Sequence, residues 1–278
     1  MKEKILICKK FKNKGKGKMA TRTKEKVTVL SQEQIAEHIF SMWIHTKAAI
    51  KAKPGQFISM YTNDGSKLLP RPISICEIDK VNSRLRVVYR VTAEHTGTEQ
   101  FSKMKAGDTL SILGPLGNGF PLEKGNEKNT LLIGGGIGIP PILELAKQLN
   151  ATKYITVGYR NEQTFLLNEL EANGAVMIAT EDGSIGTKGN VMDAIQANEL
   201  DVSIIYACGP TPMLRAIKKY AEENEIECYL SLEERMACGI GACLGCVIPT
   251  VEKDSYSNVH NKRCCKEGPV FLSTAVNI

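Results

Sequence analysis

The sequence predicts a β-barrel plus α/β architecture: an antiparallel barrel, then a parallel-sheet α/β region, then a small C-terminal segment rich in cysteine. Three observations carry this. Residues 27–124 show short alternating apolar runs punctuated by Gly, Pro and Asn, as frequent antiparallel strands require. Residues 125–230 alternate strand-like apolar runs with helical periodicity, the order of a parallel sheet. Five of the nine cysteines fall between 238 and 265, within the remaining segment 231–278.

In the barrel region, strands are expected at 27–30, 36–45, 56–61, 74–77, 85–91 and 109–113. A short helix is expected at 98–105, where apolar residues recur with helical spacing after Gly97. The α/β region reads as strands at 131–133, 154–157, 175–179, 204–208 and 226–230. Helices at 140–149, 164–172, 190–197 and 211–223 fall between them. The cysteine segment reads as a third small unit on the end, free to face another protein.

Length and composition bound the rest. At 278 residues the chain suits two domains and an extension, and 42% hydrophobic with 24% charged residues is ordinary for a globular protein. No apolar run approaches the ~20 residues that span a bilayer. Nine cysteines without a secretory leader point to a reducing, cytoplasmic setting, where thiols serve metals or chemistry. The net charge of +6 is local: residues 1–26 hold eleven Lys or Arg against two Glu, so the remainder carries 25 basic against 28 acidic groups. The Lys-rich stretch 9–18 has no amphipathic period and reads as a disordered basic extension, or as the product of an early start with Met19 the true one. Neither a nucleic-acid nor a membrane partner is expected.

The strongest motif is Cys238-Gly239-Ile240-Gly241-Ala242-Cys243-Leu244-Gly245-Cys246, answered later by Cys264-Cys265. The C-x4-C-x2-C spacing with a distant fourth cysteine is the plant-type pattern for a [2Fe-2S] cluster. Glycines let the loop wrap closely and aim amides at the sulfurs. A structural zinc site is the alternative, although zinc sites usually pair two close C-x2-C units.

The second motif, Gly134-Gly135-Gly136-Ile137-Gly138-Ile139-Pro140-Pro141, joins the first strand and helix of the α/β region. A glycine-rich turn there lets backbone amides approach a phosphate, and the helix N-terminus favours its charge. The strict G-x-G-x-x-G spacing is absent, so the surrounding strand and helix carry the dinucleotide reading. Cys208-Gly209-Pro210 forms a second strand-to-helix junction at the same sheet edge, placing a thiol near a nicotinamide or simply burying a small side chain. In the barrel, Arg71-Pro72-Ile73-Ser74 offers a guanidinium for a pyrophosphate and a hydroxyl for a flavin edge. Tyr89-Arg90-Val91 ends a strand and Thr96-Gly97-Thr98 opens the expected helix, adding phosphate donors, or they are a solvated arginine and an ordinary cap.

In this order, Arg71 to Ser74, the glycine loop, Cys208 to Pro210 and the terminal cysteines resemble the ferredoxin reductase superfamily with a fused [2Fe-2S] segment. More narrowly, Gly114-Pro115-Leu116-Gly117-Asn118-Gly119-Phe120, Ser231-Leu232-Glu233-Glu234-Arg235-Met236 and Gly268-Pro269-Val270-Phe271 resemble electron transfer subunits of bacterial type 1B dihydroorotate dehydrogenases, in pyrimidine biosynthesis. The resemblance runs from about residue 27 to the end. It implies an FAD-binding barrel at 27–124, an NAD-binding domain at 125–230 and a cluster segment at 231–278.

It also implies FAD contacts at Arg71 to Ser74, Val88 to Arg90, Gly97 and Thr98, and cluster ligands Cys238, Cys243, Cys246 and Cys265. The fourth is chosen because the family places it three residues before the Gly-Pro pair. The implied partner is an FMN-containing catalytic subunit, two of each chain, that oxidises dihydroorotate to orotate. Electrons would then run from its FMN through the cluster and FAD to NAD+, with no general acid or nucleophile required. Departures are Ile73, where the superfamily usually has an aromatic residue, and longer stretches at 92–96 and 250–263. His260 reads as a surface residue, since four thiolates suffice. Related alternatives are a sulfide or ferredoxin oxidoreductase subunit and an oxygenase reductase; a zinc-stabilised nucleotide-binding regulator is the alternative without turnover.

Overall fold

A computed structural model describes residues 23–254 and 258–278. The Lys-rich stretch and Met19 lie outside the described residues. Six strands, β1 (Thr23–Ala36), β2 (Ile39–His45), β3 (Phe57–Tyr61), β4 (Arg71–Asp79), β5 (Arg84–Arg90) and β6 (Thr109–Leu116), close into an antiparallel barrel in the order β1-β2-β5-β4-β3-β6. Inward positions alternate as the pleat requires, so Met42, Ile44, Ile58, Met60, Val87, Tyr89, Leu110 and Ile112 fill the interior. Helix α1 (Gly97–Ser102), shorter than expected, presses Phe101 into that core.

Two boundaries differ from the sequence reading. Residues 36–45 are not one strand: Ala36 ends β1, and a tight turn with His38 at φ 58° leads into β2. Residues 23–26 do not belong with the extension, because they pair with β6 as the start of β1.

The second region contains α2 (Leu122–Gly125), β7 (Asn129–Gly135), α3 (Ile139–Gln148), β8 (Thr152–Tyr159), α4 (Leu167–Glu171), β9 (Ala175–Thr180), β10 (Thr187–Lys188), α5 (Val191–Gln196), β11 (Ile204–Cys208), α6 (Thr211–Glu223) and β12 (Glu227–Ser231). Strands β10-β9-β8-β7-β11-β12 form a parallel sheet in that order. Helix α3 is buried along eight consecutive residues, Ile139 to Ala146. It lies between two surfaces, packing on β7 and on barrel strand β4, so one apolar stripe would not suffice.

The cysteine segment is integrated with that sheet rather than hanging from it. It supplies the hairpin β13 (Val247–Pro249) and β14 (Asn261–Arg263), then β15 (Val270–Leu272), which pairs antiparallel with β12 and becomes the seventh strand. Residues 266–269 are pinned from two sides. The Asn118 amide donates to the Gly268 carbonyl at 2.6 Å, its side chain donates to the Glu267 carbonyl at 2.8 Å, and the Leu232 amide donates to the Pro269 carbonyl at 2.9 Å. Gly117, at φ 71°, permits this approach: a Cβ there would stand 2.5 Å from the Pro269 ring.

A charged clasp joins barrel and sheet. Arg86 of β5 donates through Nη1 to Glu77 at 2.6 Å and to Glu169 of α4 at 2.7 Å, and its Nε donates to Ser41 at 2.8 Å. Lys147 of α3 also pairs with Glu77. Beside them, buried Glu144 accepts from the Ile78 amide at 3.0 Å and from the Gln148 side chain. Burial, aided by the Glu77 charge, pushes the Glu144 carboxyl up to about 7 against the pull of its hydrogen bonds.

A carboxyl raised on folding takes up a proton, so its contribution to stability falls as pH rises from the unfolded value near 4.5 through about 7. The span corresponds to roughly 3 kcal/mol. Glu144→Gln is therefore expected to flatten the decline of the thermal midpoint between about pH 5 and 7. Parallel melts of the two proteins across that range check it.

Candidate functional site

The carboxyl edge of the parallel sheet gathers the candidate residues. In register, Cys208 at the end of β11 stands level with Gly134 on β7 and Ser231 on β12. The glycine turn, the Cys208-Gly209-Pro210 turn and the chain leading into the cysteine loop thus leave the sheet side by side.

The glycines in these turns serve different needs. Gly138 lies against the second turn, where a Cβ would stand 2.3 Å from the Cys208 carbonyl oxygen. Gly135 and Gly209 make room for Met213 of α6, with built Cβ atoms 2.5 Å from its Sδ and 2.3 Å from its Cε respectively. Gly134 packs against Ile139. Gly136 differs: its φ is 52°, and the nearest atom to a built Cβ is Arg90 Nη2 at 3.7 Å. Close packing of two crossing turns explains most of this glycine content, and Gly136 alone faces open space toward an arginine.

That arginine ends β5. Burial, then the neighbouring Arg160 charge, lowers the Arg90 pKa. Among the described residues neither arginine forms an ion pair. Two cations beside a backbone turn make an anion-attracting corner between barrel and sheet. The Tyr89 side chain cannot contribute there: its ring is inside the barrel, and its hydroxyl accepts from Gln32 at 2.7 Å. Val88 is likewise buried, against the α3 face. Both residues can offer only backbone groups.

Arg71 opens β4 and donates from Nη1 to the Leu69 carbonyl at 2.6 Å. Gly97 is needed beside it, since a Cβ there would stand 2.9 Å from Arg71 Nε. The Thr98 hydroxyl is 3.1 Å from that of Thr96, the α1 cap. Ile73 and Ser74 are half-buried on the same strand. A groove of about 460 Å³ runs between Leu69-Pro70-Arg71-Pro72 and Glu233-Glu234-Arg235-Met236, so the β4 motif and the approach to the cysteine loop share one space. Cys208 is a partly buried thiol beside Ser231, and burial pushes it up to about 12, which keeps it neutral.

The cysteine loop rests on the outside of the barrel. Gly239, at φ 66°, places a built Cβ 3.1 Å from Ser59 Oγ. Ser59 points outward from β3 yet is 1% exposed, and its hydroxyl has no hydrogen-bond partner among the described residues. Four thiols neighbour one another, Cys238 beside Cys243 and Cys265 beside Cys246, with Cys265 also near Cys238 and the Gly241 amide. Amides of Ile240 and Ala242 point at Cys238 Sγ at 3.4 and 3.3 Å, that of Gly245 at Cys243 Sγ at 3.5 Å and that of Cys265 at Cys246 Sγ at 3.4 Å.

Burial opposes ionisation of Cys238, but these amide donors prevail and lower its pKa; burial beside Cys246 raises that of Cys265. Cys264 points the other way, its thiol donating to the Leu232 carbonyl at 3.1 Å within the sheet core. His260 is exposed and bonded to the Val251 carbonyl at 2.9 Å. Among the described residues, no three Cys, His, Asp or Glu side chains converge on one metal-ion position. Four cysteine thiols with backbone amides directed at the sulfurs are the donor chemistry that an iron-sulfur cluster takes.

Sequence reasoning missed several residues here. Ser59 and the Arg86 clasp act through contacts remote in sequence that no local spacing announces, and Asn118 and Met213 stand in motifs whose spacing does not show the contacts they make.

Comparison with known proteins gives a consistent set. Residues 26–120 match an oxidoreductase FAD-binding domain, 132–219 an oxidoreductase NAD-binding domain, and 233–277 the iron-sulfur cluster binding domain of dihydroorotate dehydrogenase B. The chain is 42% identical over 256 residues to the dihydroorotate dehydrogenase B (NAD(+)) electron transfer subunit of Caldanaerobacter subterraneus, covering 92% of this chain and 99% of that protein. The corresponding subunit of Lysinibacillus sphaericus is 43% identical, with 89% and 96% covered. Among solved structures, an NADH-dependent reduced ferredoxin-NADP oxidoreductase superimposes with a TM-score of 0.80 at 29% identity, covering 90% of this chain and 89% of that one. A ferredoxin reductase of carbazole 1,9a-dioxygenase shares the fold at a TM-score of 0.62 and 18% identity, with 74% and 67% covered.

Gly138→Ala is expected to force the two sheet-edge turns apart and cost about 1–3 kcal/mol, the usual price of overpacking. Gly65→Ala, with nothing within 4 Å of its built Cβ, is the neutral control. Urea denaturation of both variants, with nucleotide affinity of the first, measures the difference.

Proposed function

Since the chain belongs to the family of dihydroorotate dehydrogenase B electron transfer subunits, we propose that it carries electrons from a catalytic partner subunit to NAD+. The observation that supports this most directly is the cluster of four thiols, Cys238 beside Cys243 and Cys265 beside Cys246, on a segment whose approach at Glu233 to Met236 shares a groove with Arg71. In this reading Cys238, Cys243, Cys246 and Cys265 hold a [2Fe-2S] cluster. Arg71 to Ser74, backbone groups of Val88 to Arg90, and Gly97 with Thr98 hold FAD. Gly134 to Gly138 and Cys208 to Pro210 receive NAD. When bound, FAD supplies the exchange between one-electron and two-electron transfer, and the cluster supplies the one-electron step.

The chain's own residues position and shield. Arg90 and Arg160 offer charge for a diphosphate, Gly136 opens backbone toward it, and the neutral Cys208 thiol lines the edge without adding charge. Amides around Cys238 favour its thiolate, the form a metal needs. The overall reaction balances as dihydroorotate losing two electrons and two protons, NAD+ taking a hydride, and one proton leaving to solvent. The partner's redox group in this reading is FMN, the assembly contains two of each chain, and the setting is cytoplasmic, as the cysteine usage supports. Among the described residues no helix is long and apolar enough to cross a membrane.

Anaerobic titration tests the function: dihydroorotate added to the complex with the catalytic subunit should bleach both flavin and iron-sulfur absorbance of this chain. Unchanged absorbance would refute the assignment. Cys265→Ser is expected to abolish iron and sulfide binding, whereas Cys264→Ser retains both because its side chain faces Leu232. Iron and sulfide assays on the two purified variants decide it.

A further inference from the structure

The two thiol pairs are built on unequal supports. Cys246 and Cys265 flank the β13–β14 hairpin, with Val247 paired to Arg263 and the Cys264 amide donating to the Cys246 carbonyl at 2.8 Å. Backbone ladder thus fixes that pair. Cys238 and Cys243 sit on a loop outside any strand or helix, shaped by Gly239 and Gly241 at φ 66° and 84°.

One side chain crosses from the supported half to the other. Arg263 donates from Nη1 to the Gly241 carbonyl at 2.8 Å. The rest of its guanidinium is engaged by Glu267, with Nε donating to Oε2 at 3.0 Å and Nη2 to Oε1 at 2.5 Å. Glu267 Oε2 also accepts the Arg263 amide at 2.9 Å, closing the turn that carries Cys264 and Cys265. Gly241 lies between Cys238 and Cys243 in the chain, and a Cβ there would stand 2.7 Å from Lys266 Cδ, so the loop fits closely over this turn.

An ordinary surface pair of this spacing contributes little. Here the side chains are 27% and 29% exposed, the pairing is two-pronged, and the third arm reaches another segment. A lysine would keep the charge but not the fork.

We propose that Arg263 is a positioning residue for the iron-sulfur cage: held by Glu267, it grips the Gly241 carbonyl and sets the separation between the Cys238–Cys243 pair and the Cys246–Cys265 pair. This rests on the [2Fe-2S] reading of those thiols. Two irons demand one spacing between the halves. With Arg263 in place the loop half is held over the turn that carries Cys264 and Cys265. Removing the grip leaves every ligand present but lets the loop half open.

The test uses the full chain, purified anaerobically, as wild type, Arg263→Met, Arg263→Lys and Glu267→Gln. Iron, sulfide and FAD per chain are measured, with cluster loss to an iron chelator and the electron paramagnetic resonance spectrum of the reduced protein. Partners of metal ligands typically contribute 10-fold or more in affinity, so the methionine variant should lose its cluster on the order of tenfold faster, with an altered spectrum and unchanged FAD content. The lysine variant should resemble it, and the glutamine variant should shift in the same direction, which keeps the test independent of any one variant's folding. Wild-type retention and spectrum in Arg263→Met would overturn the inference alone, and full rescue by lysine would overturn the grip on Gly241. Absence of iron and sulfide from the wild-type chain would instead overturn the cage reading itself, and the inference with it.

Discussion

The spatial order of the candidate sites depends on how residues 266–270 are held. They lie between the barrel loop at Gly117-Asn118 and the sheet strand ending at Ser231, with hydrogen bonds to Asn118 on one side and Leu232 on the other. From that fixed point β15 runs onto the sheet edge, Cys264 turns into the core and Cys265 turns toward Cys246. The two cysteines open the turn that follows β14, whose amides at 266–268 donate back to the Arg263 carbonyl, and their side chains diverge there, one into the sheet core and the other toward Cys246. A C-terminal tail of this length would otherwise have little apolar area with which to order itself.

The same constraint brings the three candidate cofactor sites to one neighbourhood. Strand β12 ends level with the strands that precede the glycine turn and the Cys208 turn, and its continuation borders the groove at Arg71 before entering the cysteine loop. Sheet edge, barrel motif and thiol cage are therefore consecutive along a short path. The barrel and sheet cannot rotate freely about that path. Helix α3 is buried between them, and Arg86 bridges Glu77 and Glu169 across the junction. Buried charges of this kind cost desolvation, and their value here is in fixing one relative orientation.

Much of this was legible in the chain, for reasons that differ by residue. Barrel strands announced themselves through two-residue alternation, and the cysteine spacing was readable because three of the cysteines share one short loop. The turn at Glu37-His38 was not, because it holds a non-glycine residue at φ 58° and carries no Gly or Pro. Strand β15 is three residues long and exists only through its pairing with β12, so no periodicity could reveal it. The glycine loop was legible as a tight turn, but its spacing did not show that its glycines answer to Met213 and Cys208 across the turn. Glu144 and Arg86 look like surface charges in the sequence and become interior groups only when two units close on them.

The most direct measurement is anaerobic stopped-flow reduction of the purified chain by NADH, following flavin and iron-sulfur absorbance separately, with and without FAD bound. Flavin should bleach first and the cluster after it, and the FAD-free chain should show no cluster reduction. Equal rates of cluster reduction in the presence and absence of FAD would contradict a relay that runs along the path from the sheet edge through the barrel groove to the thiol cage.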